Sequence, residues 1–166
     1  FVKAPATVAL GGLQQTYDGT PRAATATTDP AGLAVALTYD GLAQAPTAIG
    51  TYAVVATVQD IYYQGAATGV LVVAKAPATV TLDGLQQTYD GTPRVATATT
   101  DPAGLAVAMT YDGNPAAPVA AGTYVVVATV NDATYAGSAT GALVVAKADQ
   151  TIAFPEFLEV FTDDVL

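Results

Sequence analysis

The 166-residue chain has no cysteine, no histidine and no tryptophan, and five cationic side chains stand against fourteen anionic ones. Without cysteine there is neither a disulfide framework nor a thiolate metal site, a condition met in the cytosol and equally in exported bacterial proteins that dispense with oxidative folding. Histidine and cysteine ordinarily supply the activated nucleophile or the tuned acid and base, and no Gly-x-Ser-x-Gly, P-loop or dinucleotide glycine motif takes their place. The chain therefore reads as non-enzymatic, with no catalytic, cofactor-binding or metal-ligand residue assigned. A net charge of −9 repels phosphate backbones and anionic headgroups, which removes nucleic acid from the expected partners. The longest apolar runs, such as residues 70–74 and 124–128, fall far short of the roughly 18–20 residues of a bilayer-spanning helix, so no membrane insertion is expected of this segment.

What the chain does have is itself, twice. Residues 4–75 and 76–147 align without a gap at a constant offset of 72, and 56 of the 72 positions are identical. This is a tandem array. Phe1-Val2-Lys3 stands before the first copy where Val73-Ala74-Lys75 stands before the second, so residues 1–3 read as the end of a preceding repeat. Residues 148–166 do not continue the pattern in residues, although their apolar alternation is similar, and read as the truncated start of a further, different immunoglobulin-like domain. A unit of this size removes only about 60% of its unfolded surface from water, which leaves stability marginal. Aromatics make up 8% of the chain and alanine supplies much of its 52% hydrophobic content, an inventory suited to a thin sandwich.

Period-two alternation is the dominant local signal. In residues 51–58 one face carries Tyr52, Val54, Ala56 and Val58 while Thr51, Ala53, Val55 and Thr57 take the other, and the run recurs at residues 123–130. Leu33, Val35, Leu37 and Tyr39 form a second face, Val8 and Leu10 a third, Gly69, Leu71 and Val73 a fourth, with Ala24 and Ala26 a weaker fifth. Differences between copies test this phase. Ala9 becomes Thr81, Ala23 becomes Val95, Ala53 becomes Val125 and Val70 becomes Ala142, all outward, while the inward change from Leu37 to Met109 roughly conserves volume. Asp18-Gly19, Asp29-Pro30-Ala31-Gly32 and Asp40-Gly41 break the strands with turn-capping side chains and φ-permissive glycines. Six or seven short strands per 72 residues predict an all-β chain of tandem immunoglobulin-like antiparallel β-sandwiches arranged end to end. Tyr52 and Tyr124, at the start of a late strand, occupy the place of a tyrosine corner.

Thr16-Tyr17-Asp18-Gly19-Thr20-Pro21, the turn from Thr28 to Leu33, Gly50-Thr51-Tyr52, Tyr63-Gln64-Gly65 and Thr68-Gly69 follow one another in an order that resembles the MBG domains, YGX type, of large bacterial surface proteins. The resemblance spans both copies, with Tyr135-Ala136-Gly137 in the second. It implies exported, repetitive cell-surface proteins, adhesins among them, in which such modules form stalks, and it implies no catalytic residues. Asp149-Gln150-Thr151-Ile152 is similar to the start of another bacterial immunoglobulin-like repeat type.

The expected function is a non-catalytic spacer in a secreted or surface-exposed protein, monomeric, with neighbouring repeats of its own chain as partners. Two rival readings attach to named residues. Calcium at domain junctions would draw on Asp18, Asp29, Asp40, Asp60 and Asp83, although no EF-hand spacing is present. Binding of a glycan or host protein by the repeats would use Tyr62, Tyr63 and the variable segment 42–49.

Overall fold

The computed structural model describes residues 2–153. Among them there is no helix. The first repeat runs β1 (Ala4–Pro5), β2 (Thr7–Gly11), β3 (Gln14–Thr16), β4 (Thr25–Asp29), β5 (Val35–Tyr39), β6 (Gly50–Val58), β7 (Tyr63–Gln64) and β8 (Ala66–Ala74). The second repeats the plan as β9 (Ala76–Pro77), β10 (Thr79–Asp83), β11 (Gln86–Thr88), β12 (Thr97–Asp101), β13 (Val107–Tyr111), β14 (Gly122–Val130), β15 (Tyr135–Ala136) and β16 (Ser138–Ala146).

In each repeat a two-stranded sheet, β2 with β4 or β10 with β12, faces a four-stranded one ordered β3-β8-β6-β5 or β11-β16-β14-β13. The expected tandem sandwiches are present. The long hairpin partners β6 and β8 are antiparallel, with Tyr52 opposite Leu71 and Val54 opposite Gly69. Two pairings are parallel instead, β3 with β8 and the short β1 with β7. They arise because the chain leaves one sheet and joins the other within a few residues. Gly12 makes that switch at φ +65°, where a side chain would be strained, and drops Leu13 into the core.

The alternation read from sequence sets the burial. Val54, Ala56 and Leu71 are fully buried and Val58 and Val73 nearly so, while Thr51, Ala53, Val55 and Thr57 are exposed. Each fully buried Val or Leu contributes on the order of 1.5–3 kcal/mol. The outward substitutions also lie outward: Val95 and Val125 are exposed, as is Val70, whereas Leu37 and Met109 are half-buried against the core. Ala24 is buried as expected but precedes β4 rather than lying in it.

Two glycines allow close approach. A Cβ at Gly69 would meet Leu10 Cδ1 at 3.0 Å and Leu13 Cδ1 at 3.1 Å, so its absence lets the two sheets close. At Gly65, in the Tyr-x-Gly run, a Cβ would overlap the carbonyl of Ala6 where β1 passes into β2. Residues 148–153 carry no strand, and the rest of the stretch read as a further domain, like Phe1, lies outside the described residues.

Candidate functional site

Each aspartate singled out in the sequence has its own local setting, and most of their carboxylates are engaged at once by their own turns. Asp18 Oδ1 accepts from Thr20 N at 2.9 Å and Thr20 Oγ1 at 2.6 Å, and Oδ2 pairs with Arg22. Those bonds, the Thr20 hydroxyl first, hold the Asp18 carboxyl below its ordinary value of 3.8. At the matching Asp90, Thr92 and Arg94 bring it down to about 2. Arg94 Nε also donates to Gln87 Oε1 at 3.0 Å, a bond absent at Arg22, whose Nε is buried without a partner.

Asp40 closes a hairpin. With φ +46° at Asp40 and +84° at Gly41, and Tyr39 and Leu42 exchanging backbone bonds at 2.7 and 2.9 Å, this is a type I′ turn. Its carboxylate then accepts from Ala53 N at 2.8 Å, extending the β5–β6 ladder by a side chain. Asp60 Oδ1 accepts from Tyr62 N and Tyr63 N at 2.7 and 2.9 Å. Asp83 accepts from Gly84 N at 2.7 Å, and Asp29 is exposed at the end of β4 beside Pro30. Among the described residues no three acidic side chains come together in a cluster able to hold a metal ion.

Tyrosines bind the loops to the frame. Tyr52 OH donates to Ala48 O at 2.9 Å and Tyr124 OH to Ala120 O at the same distance, the tyrosine-corner bond expected at this position. Inside, Tyr39 OH accepts from the backbone N–H of Ala24 at 2.9 Å, and Tyr111 does the same for Ala96 at 3.0 Å. Placing Tyr39 on an inward face was legible in the alternation; its role in anchoring the segment before β4 was not.

Of the proposed ligand-contacting residues, Tyr62 is largely exposed while Tyr63 is half-buried and lies in β7 beside Ala4. Its counterpart Tyr135 packs on Val80, Ala128 and Val130. The 42–49 segment, pinned by Arg22 N donating to Pro46 O at 2.8 Å, roofs a shallow depression over Tyr39, Asp40 and Tyr52. The second repeat has the same depression, but Leu42 and Gln44 of its wall become Asn114 and Ala116. A conserved frame with a changed lining does not define one shared ligand.

The remaining feature is the seam. One residue, Lys75, separates β8 of the first repeat from β9 of the second. β9 pairs at once with β15, and Lys75 Nζ donates to Asp132 O at 2.6 Å. Asp132 lies in a turn fixed by Thr134 and Tyr135, whose bonds to its carboxylate depress its pKa. Lys3 makes the same bond to Asp60 O at 2.6 Å. That the lysine before each Ala-Pro start reaches into the next turn was not read from the sequence; its recurrence at that place was the available signal.

A lysine-closed seam between two copies of one β-sandwich, each carrying its own core, defines a tandem-repeat module. The MBG domain family matches residues 6–77 and again 78–149, and the chain belongs to that family. No curated protein matches the chain.

Proposed function

We propose that the chain is a non-catalytic spacer, a stalk segment of a large bacterial surface or secreted protein of the adhesin kind, that holds a distal domain away from its anchorage. The observation that carries this reading is the seam: β8 passes through one residue into β9, and both sides of that residue are held by backbone ladders. A nine-residue strand such as β6 spans about 30 Å at ~3.3 Å per residue, so each repeat adds that order of length. Among the described residues, the extensive strand-to-strand packing falls within repeats, consistent with modules joined at their ends rather than pressed side by side. Membership of a repeat family supports the same use, in which reach scales with copy number.

Small-angle scattering tests the reading. A rod of two sandwiches has a radius of gyration well above the ~15 Å of a compact 166-residue domain; a value near that figure, from a folded-back pair, would sink the spacer.

A further inference from the structure

The two repeats differ at the seam in a pattern that matches large residues with small ones. The cleft between them is lined on the first repeat by Tyr17, Thr47 and Ile49 and on the second by Ala133 and Thr134. Of the positions that differ between copies, the first repeat presents the large Ile49 here and the second presents small ones. At the two outer ends of the pair the sizes are exchanged. The second repeat has Ala121 where the first has Ile49, and the first has Ile61 and Tyr62 where the second has Ala133 and Thr134.

Thr47 and Ala133 stay exposed at the seam, but residues 17 and 134 are more covered there than their outer-end counterparts. Tyr17 and Thr134, at the seam, are half-buried; their counterparts at the outer ends, Tyr89 and Tyr62, are 41% and 59% exposed, and Ile61 is 68% exposed. The Ile61 end is otherwise built as a seam already, because Lys3 donates to Asp60 O at the 2.6 Å that Lys75 keeps to Asp132 O.

We propose that Ile61 and Tyr62 form a docking face for the far end of another repeat of the second kind, one with alanine where Ile49 stands, so that copies of this two-repeat unit join head to tail. Such a contact is heterologous and does not close on itself, which yields an array rather than a dimer. The array then has a period of two repeats, with alternating seams: isoleucine against alanine and threonine, then alanine against isoleucine and tyrosine. This inference rests on the spacer reading, because only an end-to-end array brings these faces together. The seam buries loops only, so the join needs the high effective concentration of covalent linkage.

The test is the chain with residues 4–147 duplicated in line, so that Lys147 runs directly into a second Ala4 and residues 148–166 remain at the end. Tetranitromethane modification, counted by intact mass, should give the same number of fast-nitrating tyrosines per chain as the original, since the new seam covers one Tyr62 and one Tyr89; a doubled number overturns the proposal. Ala121→Ile in the first copy should lower the denaturant midpoint, and adding Ile61→Ala with Tyr62→Thr in the second copy should restore it by returning the existing seam's match of isoleucine with alanine and threonine. No loss, or loss without rescue, overturns it as well. A rod-like scattering profile alongside such a failure would leave the spacer standing and remove only the seam complementarity.

Discussion

Single positions with near-identical surroundings make the two copies internal controls for one another. Gly11 and Gly65 both lie where a Cβ meets a neighbour, yet only one is fixed. The atom in front of Gly11 is the Thr25 hydroxyl, which can turn, and the second repeat already carries Asp83 there. The atom in front of Gly65 is the backbone carbonyl of Ala6, which cannot move without shifting β1 and β2, and Gly137 faces Ala78 in the same way. Gly11→Asp should therefore change stability by less than about 0.5 kcal/mol, while Gly65→Ala should cost about 1–3 kcal/mol or more through overpacking, both read by urea denaturation. The tyrosines divide similarly. Tyr39→Phe leaves the buried N–H of Ala24 without an acceptor and should cost about 1–3 kcal/mol. Tyr52→Phe frees a carbonyl that water can reach and should cost about 1 kcal/mol or less.

Strands and turns divide into those the sequence announces and those it does not. β6 and β14 were legible because a packed face and a wet face alternate along them, without interruption in β6 and with only Val127 half-buried on the outer face of β14. Asp40-Gly41 was legible as a turn because Asp-Gly is one of the few pairs that suit two consecutive positive φ values. β3 and β11 were not: Gln-Gln-Thr has no apolar alternation, and its parallel pairing with β8 or β16 is set by the switch at Gly12 or Gly84, a tertiary event. The two-residue β1 and β7 are likewise held by a long-range register rather than by propensity. Turns built on Asp18, Asp90 and Asp132 have carboxyls depressed below 3.8, Asp90 to about 2. A group whose folded pKa lies below its unfolded one stabilises the fold above the unfolded value, and that contribution disappears as pH falls through the folded value. The thermal midpoint should thus hold level down to about pH 4 and fall between pH 3.8 and about 2. Thr92→Val, which removes the largest cause at Asp90, should make that acid fall shallower in a calorimetric pH series. A midpoint that falls equally in both proteins would assign the acid sensitivity elsewhere.

At the scale of the whole molecule, thermodynamic stability and mechanical stiffness reside in different places. Core clusters, ladders and tyrosine anchors lie within single repeats, so each sandwich owes its folding to itself. Direction, by contrast, passes between repeats, among the described residues, through the peptide of Lys75, its bond to Asp132 O and the loops around it. The two properties should separate on mutation. Inserting Gly-Ser-Gly-Ser after Lys75 converts a strand-to-strand run into a flexible coil while touching no ladder, so both sandwiches should stay folded with the denaturation midpoint falling only by what the seam contributes, and the scattering profile should broaden toward a bent, heterogeneous pair. Lys75→Met keeps the chain length and removes only an exposed hydrogen bond, so it should lose less stiffness than the insertion does. An insertion that leaves the scattering curve unchanged would mean that the loops lining the cleft, rather than the direct run of β8 into β9, hold the two sandwiches in line.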